Sequence, residues 1–222
     1  MAVITFSRQL GSRGDAIATA VCEQLGYRYF DKKMMVEAAA EVGLSEQEVV
    51  DFSEDHYEVR SFLSRLLRAE PRPIDTATAR RMESVGRTPL TARGLDDAQC
   101  IELVRYTILS AYNIGNIVVV GRGGQAILQG KPGTLHVRVI APLDARIQAM
   151  QAQGRTGIAE IKLKLHQADQ STAAYLKRFY ELDVDDPTHY HLVINTGRIS
   201  ESAAIASVMA AARALEAAPA AI

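Results

Sequence analysis

The chain has 222 residues, 48% of them hydrophobic and 23% charged, with a formal net charge of -1. That composition suits one globular unit with a single sizeable core, and it excludes a general electrostatic field for nucleic acid or anionic membranes, so any polyanion must meet a local basic cluster. Cys22 and Cys100 are too few for a disulfide framework, and the N-terminus reads as a strand where a signal peptide would need a basic start and an apolar run; the expected location is the cytoplasm.

The first predicted element is a strand over Ala2 to Phe6. It runs into Ser7-Arg8-Gln9-Leu10-Gly11-Ser12-Arg13-Gly14-Asp15, a small-residue loop that opens a helix. Such a junction aims backbone N–H groups and the positive end of a helix dipole at an anion, and phosphate is the natural ligand. Against the pattern GxxxxGK[ST], Ser7 stands at the first glycine, Ser12 at the second and Arg13 at the lysine, so the signal comes from the strand before, the helix after and the glycines at 11 and 14. Two readings stand for this loop. In one, Ser12 caps the helix and Asp15 completes a reciprocal capping arrangement; in the other, Arg8 and Arg13 join the backbone in holding phosphate, since two guanidinium groups otherwise oppose the dipole.

The helix that follows is predicted to bury Ala16, Ile17, Ala20, Val21 and Leu25 and to end at Gly26. A second strand covers Tyr27 to Phe30, after which Asp31 is either an N-cap for the helix from Lys32 onward or a ligand-site residue. From Arg60 to Gln99 the chain is rich in Arg, Pro and Asp with weak apolar periodicity after Leu67, as expected of an inserted arm and not a core element. Its Arg68, Arg72, Arg80, Arg81, Arg87 and Arg93 form either a solvated surface or a binding face for an acidic acceptor or a partner.

Cys100, Leu103, Val104, Thr107, Ile108 and Ala111 mark the next buried helix face, and Asn116 to Val120 the third strand. Arg122, in Gly121-Arg122-Gly123-Gly124, then sits at the carboxyl end of a strand, where open α/β sheets bind ligands; an anion-binding role is set against a structural salt bridge. Strands over Leu135 to Ile140 and His191 to Ile194 complete a five-stranded parallel sheet with helical crossovers. Between them, Gln151 to Asp186 is a polar, Lys-containing helical segment behind Gly154-Arg155-Thr156-Gly157, whose glycines offer a hinge, and it is the candidate lid. Ser202 to Ile222 reads as an alanine-rich surface-packed helix with a frayed end, not a membrane span. No metal-ligand cluster stands out, the five histidines being scattered.

Five segments in order, ITFSRQLGSRG (Ile4 to Gly14), LGYRYFDK (Leu25 to Lys32), NIVVVGRGGQAIL (Asn116 to Leu128), LHVRVIAPLDAR (Leu135 to Arg146) and HLVINTG (His191 to Gly197), make the chain resemble the cytidylate kinase-like family, a divergent branch of the P-loop nucleoside monophosphate kinases. The resemblance implies an α/β, P-loop kinase-like three-layer fold with a five-stranded parallel sheet plus helical acceptor-binding arm and lid insertions. It implies one domain over 1–222, with a core of 1–30, 96–150 and 187–222, an acceptor arm of 31–95 and a lid of 151–186.

It further implies phosphoryl transfer from ATP to a nucleoside monophosphate, nominally CMP or dCMP, with Mg2+ bridging the donor phosphates and no protein ligand for the metal identified. By that resemblance Ser7, Arg8, Gln9, Gly11, Ser12, Arg13, Gly14 and Asp15 hold the nucleotide, with Arg13 in place of the lysine. Asp31, Lys32 and Arg122 meet the acceptor, Arg13 and Arg122 act on the transferring group, and Arg155 and Asp169 belong to the lid. The chain departs from the family at Glu37, where cytidylate kinases proper have an arginine, at Gly123, where they have an aspartate, and at Gln170, where relatives tend to have a lid arginine. Two alternatives follow from those departures: a nucleotide-binding regulatory or protein-interaction module with weak or no transfer, and a kinase for a different small-molecule acceptor. The partners expected are a nucleotide and a small acceptor, with the arm offering a surface to a protein partner or a second copy of the chain.

Overall fold

A computed structural model describes residues 2–30, 97–154 and 157–217 of the chain. Five strands, β1 (Val3–Arg8), β2 (Arg28–Phe30), β3 (Ile117–Val120), β4 (Thr134–Ile140) and β5 (Leu192–Asn195), form one sheet in the order β2-β3-β1-β4-β5. Every pairing is parallel. Parallel neighbours require crossovers, and the described ones are helical: α1 (Gly14–Leu25), α2 (Asp97–Ile114), the short α3 (Gly124–Ile127), α4 (Leu143–Gln153), α5 (Ile158–Tyr180) and, after the last strand, α6 (Glu201–Ala217).

Alternation along the strands sorts side chains into two layers. Ile4 and Phe6 of β1, Leu135, Val137 and Val139 of β4 and Ile194 of β5 pack with Ile17, Ala18, Val21 and Cys22 of α1 and Ala204, Val208, Met209 and Ala212 of α6. On the opposite face Val3, Phe30, Ile117 and Val119 meet Val104, Ile108 and Ala111 of α2. A further cluster joins Ile101 of α2 to Tyr175 and Leu176 of α5, and Ile147 of α4 packs on Ile161 and Leu165 of α5. The result is the three-layer α/β arrangement that the family resemblance implies, around the parallel sheet expected from the strand pattern.

Two local expectations shift. β1 runs through Ser7 and Arg8, because β4 continues beside it with Ser7 opposite Arg138 and Arg8 opposite Val139, so the loop proper begins at Gln9. On α1, Ile17 and Val21 are buried as predicted, but Ala18 and Cys22 join them and Ala16 faces solvent. The helix is wedged between the sheet and α6, which turns its buried stripe by one position. Among the described residues no helix is long and apolar enough to cross a membrane. The segment 31–95 expected to form the acceptor arm (Asp31 and Lys32 included), Arg155 and the residues beyond 217 lie outside the described residues.

The face of the central strands toward α2 and α5 is not wholly apolar. Thr5 stands opposite His136 and Ser7 opposite Arg138, and each pair is joined by a side-chain hydrogen bond of 2.8 Å. His136 also stacks on His191, with ring centroids 4.9 Å apart. Burial first, and then the neighbouring His191, pushes His136 down from its ordinary value of 6.5 to about 4. The unfolded chain therefore takes up a proton between pH 6.5 and 4 that the folded chain refuses, and stability falls as the pH drops through that window. The difference amounts to about 3 kcal/mol once pH 4 is reached. Urea unfolding of the wild type and His136→Asn at pH 7 and pH 4 checks this: the variant should lose that much less stability on acidification, and parallel losses in both proteins would remove His136 from the account.

Candidate functional site

The loop after β1 is braced from below by its own backbone and by three neighbouring elements. Gln9 N–H donates to the Val139 carbonyl at 3.0 Å and Ser12 N–H to the Gln9 carbonyl at 3.1 Å. The Gln9 side-chain oxygen accepts from Ala141 N–H at 3.1 Å, so this side chain ties the loop to the end of β4. From the end of β5, the Thr196 hydroxyl donates to the Ser12 carbonyl at 2.8 Å. Arg13, in the left-handed region at φ 62°, is the N-cap of α1, and no side chain caps that end. The reciprocal Ser12–Asp15 cap is therefore absent. Its absence has a positional cause: with Arg13 as the N-cap, Ser12 lies one residue too early for its hydroxyl to serve the first-turn amides. Ser12 is instead fully buried with its hydroxyl unpartnered.

Asp15 is turned toward Arg8, whose Nε donates to its carboxylate at 3.0 Å across the mouth of the loop. Tyr29 of β2 belongs to the same group: burial and then the Asp15 carboxylate push its phenol up to about 12, with Arg8 acting in the other direction. Gly14 is enforced by close approach, because a Cβ there would lie 2.4 Å from the Arg8 Cβ and 2.8 Å from its Cγ. Those atoms are near the backbone and cannot swing away. An orphan buried hydroxyl, an uncapped helix N-terminus and the exposed Arg13 beside it fit the oxygens of a phosphate group. A resident metal is a different matter: among the described residues no three His, Cys, Asp or Glu side chains gather to hold a cation, and Asp15, the acidic residue at this helix start, is held by Arg8.

Arg122 stands at the matching carboxyl end of β3, the strand beside β1. Gly121, Arg122 and Gly123 all take left-handed conformations, at φ 69°, 62° and 70°. Gly121 N–H donates to the Phe6 carbonyl at 2.8 Å, which binds this turn to the end of β1. A Cβ on Gly123 would meet the Tyr180 ring at 2.5 Å, so the turn is seated on the end of α5. Arg122 itself is buried, at 8% exposure, in a conformation that costs a non-glycine residue about 1 kcal/mol or more. Strain of that kind is kept where surrounding contacts fix it.

Asp169 is drawn to the loop by a residue to which the sequence reading gave no role. Arg146 of α4, buried at 3% exposure, donates from Nε to the Leu10 carbonyl at 2.7 Å. Its two terminal nitrogens grip the Asp169 carboxylate at 2.8 Å each. Gly11 lies directly against Arg146, its Cβ position 3.0 Å from the Arg146 carbonyl oxygen. Arg138 is the other omission, and its signal was present: a charged residue inside Leu-His-Val-Arg-Val-Ile, a strand that parallel packing should make continuously apolar. Removing one partner of a buried bidentate pair strands the other charge, a cost moderated here by the partial exposure of Asp169. Asp169→Ala should lower stability by about 2–3 kcal/mol and Tm by roughly 5–10 °C. A thermal melt within 2 °C of wild type, on the order of the smallest resolvable change, would show that the clamp contributes little.

A model of the cytidylate kinase-like family matches residues 3–198. Among solved structures, an uncharacterized protein from Eubacterium ventriosum superposes with a TM-score of 0.63 at 14% identity, covering 98% of this chain and 100% of that one. Shikimate kinase from Acinetobacter baumannii in complex with shikimate gives a TM-score of 0.50 at 11% identity over 98% of this chain and 96% of that one. These likenesses concern the fold, that of the P-loop kinases. A uronate isomerase from Corynebacterium glutamicum is 33% identical over 95 residues, 42% of this chain, but the chain spans only 18% of that protein's length. The family match runs from the first strand through the turn after the last and takes in the loop after β1, the Arg122 turn and the Arg146 clamp. The chain belongs to the cytidylate kinase-like family.

Proposed function

We propose that this chain transfers a phosphoryl group from ATP to a nucleoside monophosphate, with CMP or dCMP as the nominal acceptor. The observation that carries the reading is the uncapped N-terminus of α1 behind Gly11, Ser12, Arg13 and Gly14, with the buried Ser12 hydroxyl unpartnered. Phosphoryl transfer needs alignment and positive potential more than covalent help, and this end of the sheet is built from such parts. The loop amides and Arg13 hold the donor phosphates, and Arg122, fixed one strand away, faces the transfer from the acceptor side. Gln9 and Arg8 keep the loop in shape, one through the β4 backbone and the other through Asp15. Mg2+, carried in on the donor phosphates, supplies charge neutralisation when bound. Asp31 and Lys32 are assigned to the acceptor and Arg155 to the lid on the family resemblance alone.

A second reading, a nucleotide-binding module with slow or no transfer, is favoured by one feature of α5. The residues with which it lines the cleft beside the loop are Ala168, Asp169, Thr172 and Ala173, none cationic, and Asp169 is already engaged by Arg146. ADP release with magnesium-ATP, measured against a panel of nucleoside monophosphates, nucleosides and other small acceptors, separates the two. Acceptor-dependent release is expected, greatest with CMP or dCMP; calorimetric ATP binding with no release for any acceptor would overturn the kinase reading.

Arg13 itself is tested by Arg13→Gly, which suits the left-handed backbone and removes the whole side chain, guanidinium included. ATP affinity should fall about tenfold or more, the worth of a charge-assisted contact to phosphate. Unchanged affinity would withdraw Arg13 from the donor site. Gly14→Ala should weaken ATP binding by a comparable factor, about tenfold, through displacement of Arg8, and normal binding in that variant would show that the loop tolerates rearrangement.

A further inference from the structure

A cleft of about 100 Å3 opens between the end of β1, the middle of β4 and α5, lined by Arg8, Gln9, Leu10, Arg138, Asp169, Thr172 and Asp185 among others. Arg138 forms its floor. The strand fixes this guanidinium from beneath, and its side chain is only 6% exposed. One terminal nitrogen donates to the Ser7 hydroxyl at 2.8 Å and the other to Asp185 at a long 3.3 Å. Its Nε is buried with no partner.

The compensation of this charge is uneven. Arg146 nearby has all three guanidinium nitrogens bonded, two of them to one carboxylate. Arg138 has a neutral hydroxyl, one single-point contact to a carboxylate that is 78% exposed, and an idle donor. A charge taken out of water normally demands better pairing than that. Asp185 sits in the segment that leaves α5 and is held to it only from the water side, so it is a counter-ion that an incoming anion can replace. The face of α5 toward the cleft has Ala168, Thr172 and Ala173, small residues that leave the space open. A planar fork with one idle donor and one weakly held terminal nitrogen, beside room for a compact group, is the kind of guanidinium that takes up tetrahedral oxyanions.

We infer that Arg138 is the centre of a second phosphate-group site, next to the loop that opens α1, with Asp185 as its resident counter-ion. The assignment of the cleft to a reacting nucleotide rests on the proposed kinase function; the anion site itself does not. Two phosphate sources share this chemistry, the phosphate of an acceptor and the terminal phosphate of the donor. In either case the cation facing α5 is carried by the sheet and not by the lid helix.

Titration calorimetry of the full chain with inorganic phosphate, at constant ionic strength and with and without a saturating non-hydrolysable ATP analogue, tests the site. Wild type should bind phosphate, and Arg138→Gln should bind it about tenfold more weakly or not at all. Asp185→Asn, which keeps Arg138 and removes its counter-ion, should bind several-fold more tightly. Binding that survives the analogue assigns the site to the acceptor's phosphate, and binding that the analogue abolishes assigns it to the donor's. Equal phosphate affinity in wild type and Asp185→Asn, or in wild type and a folded Arg138→Gln, would overturn the inference and leave Arg138 a structural ion pair. If the analogue gives no heat with any of the proteins, the nucleotide reading fails while the phosphate titrations still report on Arg138.

Discussion

The loop after β1 keeps its shape because Arg146 holds it from beneath. One guanidinium takes the Leu10 carbonyl and both oxygens of Asp169 at 2.7–2.8 Å. Its planar fork makes these contacts with little further loss of freedom. Three pieces distant in sequence are thereby fixed to one another: the loop, the start of α4 and the middle of α5. A backbone cradle binds an anion well only if its N–H groups are already in place, since reorganising them would consume the interaction. With Asp169 anchored to Arg146, α5 is pinned near its midpoint to the start of α4.

The sheet's mixed face follows from the same requirement. A parallel strand buried on both sides is ordinarily all apolar, yet β1 and β4 carry Thr5, Ser7, His136 and Arg138 on one side. Each polar group is paired across the register, hydroxyl to imidazole and hydroxyl to guanidinium. That ladder leads from the core toward the carboxyl ends of the strands, and its last rung opens on the cleft beside the loop. The pairs satisfy much of this polarity, the Arg138 Nε being left without a partner, and the last rung places a cation where no exposed side chain needs to be ordered on binding.

The strands were legible in the sequence because β-rich runs bounded by turns admit few other arrangements, and all five appear within two residues of their expected bounds. The loop was legible through Gly11 and Gly14, and the Arg122 turn through its glycines. What the sequence could not decide was a shift of one residue. Whether Ser12 caps α1 depends on which residue is the N-cap, a matter of backbone angle at Arg13. Pairings across long separations were equally hidden: Arg146 with Asp169, and Arg138 with Ser7 and Asp185, are made by topology and not by spacing. Gln9 lies in the loop as expected, and its side-chain oxygen accepts from the Ala141 N–H just past β4, a contact that spacing alone does not reveal. Arg138 could have been found from its place in an apolar run, had a lone charge in a central strand been treated as a signal.

The central claim is that Gly11 to Gly14 and the first turn of α1 receive the phosphates of a nucleotide. Backbone amide chemical shifts followed during a magnesium-ATP titration test it directly, because the amides are themselves the ligands. The account predicts that the largest shifts fall on Gly11, Ser12, Arg13, Gly14 and Asp15, saturating together with a single affinity. A titration that leaves those amides unmoved, or that moves a different end of the sheet, would contradict it.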